Sequence, residues 1–380
     1  MDFDYSDEQQ ELRREARRFL EARCPPMLVR RALDDPRGSF DRDLWRDMAA
    51  LGWFGAVIPE EHAGSGLGYV ELCAIAEELG RAMAPLPVAS SVYLFAEALL
   101  LAGSPEQRAA WLPLIASGKV IGCMASAEGP GPLGQTMPAT TVEDGKLSGV
   151  KIPVTDGAVA DAAIVLAAES GQCGLFLVDL NQEGVRRTSL KSLDDSRGLA
   201  RLSFFEARAE RLGSLGSGHR LVELLFDRAA VLLAFEQLGG ADRCLEMARD
   251  YALQRHTFGL VIGSYQAIKH RLADMYVKNE LARSNAYYAA WALSTNSPEL
   301  SVAAAAARVA ASDAYGFAAK ESIQIHGGIG FTWEADPQLH FRRARHLSLV
   351  CGAPGVWSER LVAALVRKHE RITSPTEAAA

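Results

Sequence analysis

The sequence predicts an α+β protein, with an N-terminal helical domain, a small β-domain in the middle and a C-terminal four-helix-bundle domain. Two shifts in patterning carry this prediction. Helical periods fill residues 1–118, vanish over 119–210, and return in longer segments over 217–371. Gly, Pro, Val and Thr rise in the middle zone, where short apolar runs replace long amphipathic ones. The length agrees: 380 residues, 49% of them hydrophobic, exceed one small core and can fill two or three.

In the first zone, Ser6 followed by Gln9 has the spacing of a capping box. Behind it Leu12, Ala16, Phe19 and Leu20 recur at helical spacing, with Arg13, Arg14, Arg17 and Arg18 between them. A second helix is predicted over 41–51, followed by a Gly/Pro-rich break from Gly52 to Gly68. Helices over 69–83 and 88–102 come next. A fifth starts at Pro105 and runs through Trp111 to Ala116.

In the middle zone, Ala163–Leu166 and Leu175–Leu180 are short apolar runs that read as strands. Glu143-Asp144-Gly145-Lys146 is a hairpin turn between extended segments. In the last zone helices fit 221–253, 264–294, 298–326, 335–350 and 355–370. Breaks fall at Phe258-Gly259, Asn296-Ser297-Pro298, Gly327-Gly328 and Gly352-Ala353-Pro354. Four or five long helices with short links predict an antiparallel bundle.

Composition narrows the function classes. A net charge of −7 and a pI near 5.7 argue against nucleic acid as a partner. Cysteines at 24, 73, 123, 173, 244 and 351 form no C-x-x-C pair and no Cys/His group with metal spacing. The expectation is therefore reduced thiols, a cytoplasmic location and no metal. The first ten residues are acidic and polar, unlike a signal peptide. No apolar run reaches membrane-spanning length, so no membrane partner is expected. The Ala-rich stretch 302–307 is short and is soon followed by Arg308 and Asp313.

Two segments could carry chemistry. In Gln254-Arg255-His256-Thr257-Phe258-Gly259, Arg255 lies near a helix C-terminus, which suits the helix dipole, and Gly259 reads as a helix breaker. The functional alternative is that Arg255 offers a fork of donors to a phosphate. In Gln324-Ile325-His326-Gly327-Gly328-Ile329-Gly330, three glycines in four positions let a backbone approach a ligand closely. A helix-ending glycine loop explains the same residues, and the spacing is not a dinucleotide-binding fingerprint. His270 on a helix reads as structural, and no nucleophile elbow or P-loop is present.

Together these segments resemble a known family. Asp43-Leu44-Trp45 through Leu51-Gly52-Trp53, then Val57-Ile58-Pro59-Glu60-Glu61-His62-Ala63-Gly64 and Gly66-Leu67-Gly68, resemble the acyl-CoA dehydrogenase N-terminal domain. The 254–259 segment, Gln266-Ala267-Ile268-Lys269-His270-Arg271-Leu272-Ala273-Asp274-Met275, and 324–331 resemble that family's C-terminal signature, in family order. The resemblance implies FAD as cofactor, an acyl-CoA as substrate and an electron-transfer flavoprotein as electron acceptor. It implies that Arg255 grips the FAD pyrophosphate. Gln324 and the Gly327-Gly328 loop would reach the adenosine half, usually of a flavin in a neighbouring subunit. Phe258, Gln266 and Thr155 complete the implied cofactor-binding set.

The resemblance also exposes departures. Family chemistry removes an α-proton from a thioester and passes a β-hydride to the flavin, and the weakly acidic α-proton needs a placed base. Most members carry Glu at the position that is Cys351 here, before Gly352. Others carry it on the first long bundle helix, at the position that is Ala229, followed by Ala230 where Arg is common. The segment similar to the family's T-E-P-G-S-G-S-D reads Ala127-Glu128-Gly129-Pro130-Gly131-Pro132-Leu133, which loses a flavin-bonding threonine. A tryptophan beside the ring aligns with Pro153, while Thr155 remains.

The implied reading is a base-lacking partner in a heteromeric acyl-CoA dehydrogenase, working with a homologous subunit. Its catalytic residues are not assignable from the sequence. The alternatives are a self-sufficient homotetramer using Asp227 or Glu236, a structural paralogue without flavin, and a flavin monooxygenase on the same fold.

Overall fold

The computed structural model describes residues 5–35, 40–131 and 136–373. Residues 1–4 of the acidic N-terminal stretch, and Pro132 and Leu133 of the 127–133 segment, lie outside the described residues.

Six helices come first: α1 (Asp7–Arg23), α2 (Pro26–Asp34), α3 (Arg42–Ala50), α4 (Tyr69–Arg81), α5 (Glu97–Ala102) and α6 (Pro105–Ala116). A π-helical stretch, Ala89–Ala96, leads into α5. The capping box forms as its sequence predicts: Gln9 N–H donates to Ser6 Oγ at 3.3 Å, and Ser6 N–H donates to Gln9 Oε1 at 3.0 Å. Helix α2 lies where the sequence pattern gives no helix. Pro26 starts it at a position whose amide would have no helical partner anyway. Buried Glu77 and Glu78 of α4 tie this region together. Glu77 accepts from Arg13 at 2.6 Å and from Arg283 at 3.0 Å, and Glu78 accepts from Arg17 at 2.7 Å.

Eight strands follow: β1 (Gly122–Ala125), β2 (Thr141–Glu143), β3 (Lys146–Thr155), β4 (Ala162–Glu169), β5 (Gln172–Asp179), β6 (Val185–Leu190), β7 (Leu199–Arg208) and β8 (Glu210–Leu212). They form one sheet in the order β6-β7-β3-β2-β4-β5-β8, with β1 also paired to β4. The β1–β4 and β2–β4 pairs are parallel and the others antiparallel. The predicted runs 163–166 and 175–180 fall in β4 and at the end of β5. The predicted turn joins β2 to β3, with Asp144 and Gly145 both at positive φ.

The chain then returns to helix: α7 (Gly218–Gln254), α8 (Gln266–Ser294), α9 (Leu300–His326), α10 (Pro337–Leu347) and α11 (Pro354–Thr373). Helix α9 is central, packing against α7, α8, α10 and α11. Its buried face is largely Ala303, Ala304, Ala307, Ala311, Ala314 and Ala318, small side chains that let neighbouring helices approach closely. Helices α4 and α7 also cross closely, through Gly80 and Gly239. A Cβ on Gly80 would sit 1.8 Å from Glu236 O, and one on Gly239 would sit 1.8 Å from Glu77 O. Among the described residues, no helix is long and apolar enough to cross a membrane.

Candidate active-site cleft and nucleotide-gripping edge

The sheet, α7 and the α10–α11 link enclose a cleft of about 630 Å³. The segment after β1 (Ser126 to Gly131) and the end of β3 (Pro153 and Thr155) form one wall. Ser90 and Leu94 of the π-helical stretch and Val222, Phe226 and Asp227 of α7 form the second. Leu349 to Ala353, with Val356 and Arg360 of α11, form the third.

Glu128 fixes the first wall. Its carboxylate accepts from Ala139 N–H at 2.7 Å, Thr140 N–H at 2.9 Å and Lys151 Nζ at 2.7 Å. Burial alone would raise this carboxyl, but the Lys151 ammonium and the donors at 139 and 140 outweigh it and bring it down to about 2. Thr155 is aimed by a knot that the sequence reading missed. Ser90 Oγ donates to Asp156 Oδ2 at 2.6 Å, and Arg197 Nη2 meets the same oxygen at 3.2 Å. Asp156 carries a positive φ of 56° directly after Thr155. The Asp156-Gly157 pair was the available signal, as a turn after a strand.

The candidate acid–base positions separate clearly. Cys351 lines the cleft, as its place in the sequence implies, with φ 59°. Burial pushes its thiol up to about 12, although Arg308 and Arg360 draw it the other way. At neutral pH it is a protonated thiol and a poor base. Ala229 and Ala230 are wholly buried and offer no titratable group. Glu236 does not line the cleft. It is 3% exposed, with Arg197 at 4.0 Å, and burial raises its carboxyl. The expectation that Glu236 could serve as base is therefore corrected: packing turns it inward. Asp227 does line the cleft. It pairs with Arg360 at 2.6 Å, and burial lifts its carboxyl to about 6 against the pull of Arg360 and Ser301.

The remaining sequence-predicted residues gather elsewhere, at one end of the bundle. Helix α7 stops at Gln254, and Arg255 is its extended C-cap. The expectation that Gly259 breaks the helix is corrected here. The chain instead makes a two-stranded ribbon, His256–Thr257 against Leu260–Val261. Phe258 (φ 49°) and Gly259 (φ 81°) form its turn, a pattern that suits a type I′ hairpin. Phe258 stands at this tip, 94% exposed.

Tyr251 stacks on His326, centroids 4.4 Å apart, which brings the ends of α7 and α9 together. Gln324 lies in the last turn of α9, and Gly327 caps it at φ 66°. Gln266 begins α8. Arg255, Phe258, Gln266, Gln324, Gly327 and Gly328 are all exposed. A Cβ at Gly259, Gly327 or Gly328 would meet nothing within 4 Å, so the backbone is open to close approach. Thr155 is apart from this group, in the cleft.

Known proteins share this arrangement. Residues 6–119 match the acyl-CoA dehydrogenase N-terminal domain, and residues 216–365 match the acyl-CoA dehydrogenase C-terminal domain. The acyl-CoA dehydrogenase IpdE2 of Mycobacterium tuberculosis is 35% identical over 92% of this chain and 94% of its own length. The chain belongs to the acyl-CoA dehydrogenase family. The butyryl-CoA dehydrogenase of Megasphaera elsdenii superposes with a TM-score of 0.87 and 27% identity, covering 96% of this chain and all of that one. A chain of the ChsE4-ChsE5 complex from Mycobacterium tuberculosis superposes with a TM-score of 0.85 and 28% identity, covering 98% and 99%.

Members of this acyl-CoA dehydrogenase family are FAD-dependent oxidoreductases that act on the CH–CH bond of acyl-CoA thioesters. The two halves of FAD fit this chain unequally. The exposed edge suits the anionic half: a guanidinium fork at Arg255, an amide at Gln324 and an open glycine backbone. The ring side is depleted. On the sheet wall of the cleft Ala127 and Pro153 carry no side-chain donors, and Ser126 and Thr155 supply the hydroxyls there.

Proposed function

We propose that this chain is the base-lacking subunit of a heteromeric acyl-CoA dehydrogenase. It lends Arg255 and the 324–328 edge to an FAD whose reacting ring lies with a homologous subunit that carries the base. One observation carries the reading: the gripping residues are intact and face outward, while position 351 in the cleft holds a thiol. The similarity to IpdE2 and to a chain of the ChsE4-ChsE5 complex supports it.

In this assembly the chain's residues bind and orient. Arg255 would hold the pyrophosphate, Gln324 and the Gly327-Gly328 backbone would hold the adenosine half, and Phe258 and Gln266 would complete that site. When bound, FAD supplies a hydride acceptor. The α-proton leaves to the partner's base, because loss of a general base typically costs about 10²–10⁴-fold in rate. An electron-transfer flavoprotein is the acceptor this reading expects. Co-purification with the partner should give one flavin per two chains. One flavin per chain, in an active homo-oligomer, would refute the lending arrangement.

Asp227 favours a second reading, since it is a cleft carboxylate with its titration moved towards neutrality. There the chain is a self-sufficient homotetramer with Asp227 as base. Turnover by the purified chain alone, lost in Asp227→Asn, would select this reading. Unchanged turnover in that variant would discard it.

A further inference from the structure

Arg308 of α9 carries a guanidinium into the interior, with no measurable exposure and no ion pair among the described residues. Its donors go to neutral acceptors. Nη2 donates to Leu347 O and, at 2.9 Å, to Val350 O, and Nη1 donates to Gln237 Oε1. Nε has no partner. Leu347 ends α10, and Val350 directly precedes Cys351. The two carbonyls therefore bracket the turn that forms the third wall of the cleft. Past the turn, Cys351 takes a positive φ of 59°, a conformation that costs a residue with a side chain, and Gly352 follows at 118°, which glycine adopts freely.

A buried cation without a direct ion pair is expensive, and neutral carbonyls and the more distant Glu236 carboxylate only partly offset its lost hydration. Burial draws this guanidinium down to about 10. Simple capping of α10 would not require so costly a group, since a lysine or arginine at the surface can do it. Arg308 reaches further, fixing the residue just before 351 as well as the helix end. A carboxylate at 351 would supply the direct ion pair that Arg308 lacks, since Glu236 acts on it only from beyond ion-pair distance.

We infer that Arg308 is the positioning residue that clamps the 347–351 turn and aims side chain 351 into the cleft. The clamp builds the seat on which the family's base stands, and it persists here beneath a thiol. Its chemical meaning rests on reading 351 as that seat. The geometry of the clamp does not, and its test needs neither flavin nor partner.

Cys351 reports directly on the clamp. The other five cysteines are buried, so iodoacetamide should modify Cys351 first in the native full-length chain, read by peptide mass spectrometry. In Arg308→Met the lost cation by itself slows Cys351 alkylation, because Arg308 draws that thiol down. The rate should nonetheless rise about tenfold, the scale of a lost charge-assisted hydrogen bond, which reads the released turn, while the other five thiols stay protected. Arg308→Lys keeps the cation and should restore most of the protection.

Three results would overturn the inference. The Cys351 rate could stay unchanged in folded Arg308→Met. All six thiols could accelerate together, which would make Arg308 a general stabiliser. Lys could behave like Met. If Arg308→Met does not yield folded protein, Gln237→Leu removes the Nη1 acceptor and decides the matter. It should give a smaller rise confined to Cys351, and no rise would refute the clamp.

Discussion

At the scale of single residues, the proposed lending arrangement assigns holding and reacting to different groups. Arg255 offers its guanidinium from an exposed cap, and a charge-assisted hydrogen bond to a phosphate contributes about 1.5–3 kcal/mol. Arg255→Met should therefore weaken flavin retention by the assembled enzyme about ten- to a hundredfold, measured by equilibrium dialysis, with the fold unchanged by circular dichroism. Asp227 sets a pH dependence whose sign can be worked out. Its folded-state carboxyl titrates at about 6, above the unfolded value of roughly 3.9, so the folded chain binds that proton more tightly. Stability is gained as pH falls through 6, and the full cost of a buried carboxylate applies above it. Asp227→Asn lacks this component. Thermal unfolding from pH 7.5 to 4.5 should move the wild-type-minus-variant difference in the wild type's favour as pH drops.

At the scale of elements, the glycine crossing of α4 and α7 decides how near the N-terminal helices lie to the bundle. Replacing a helical Gly with Ala gains up to about 1 kcal/mol of propensity. At Gly239 the new Cβ would sit 1.8 Å from a backbone oxygen, and relieving that overlap costs about 1–3 kcal/mol or more. The clash wins, so Gly239→Ala should unfold at lower denaturant concentration than the wild type. Much of the element order was legible because it rests on local signals. Ser6 and Gln9 marked a true helix start, and Asp144-Gly145 a true hairpin. Helix α2 was not legible, because a proline pair reads as a break whether or not a helix begins inside it. The ribbon at 256–261 was hidden because Phe258-Gly259 carries the same Gly signal as a helix end.

At the scale of the whole molecule, the predicted cofactor residues were legible as segments but not as a place. The packing of α7 on α9 and the Tyr251–His326 stack bring the two signature segments together, and the stack joins residues 75 positions apart. Arg308, Arg360 and the Asp156 knot were not legible, since isolated Arg and Asp residues carry no motif until folding surrounds them. The Arg255 edge sits beside apolar side chains that no described residue covers: Phe258, Leu260, Ile329 and Phe331, the last 76% exposed. Exposed apolar groups of this size mark association surfaces. Phe258→Asp should shift the assembly towards single chains in analytical ultracentrifugation, with the cleft and its Cys351 reactivity unaltered.

The outward placement of that edge also bears on how copies of such a gene diverge. A pocket whose contacts all come from one chain must keep every contact at once. In the proposed lending arrangement the two ends of the cofactor would answer to separate surfaces, so after a duplication one copy could shed its reactive groups while its grip stayed under selection through its sister. A thiol at 351 in the cleft beside an outward-facing Arg255 edge is the pattern such a division of selective pressure would leave.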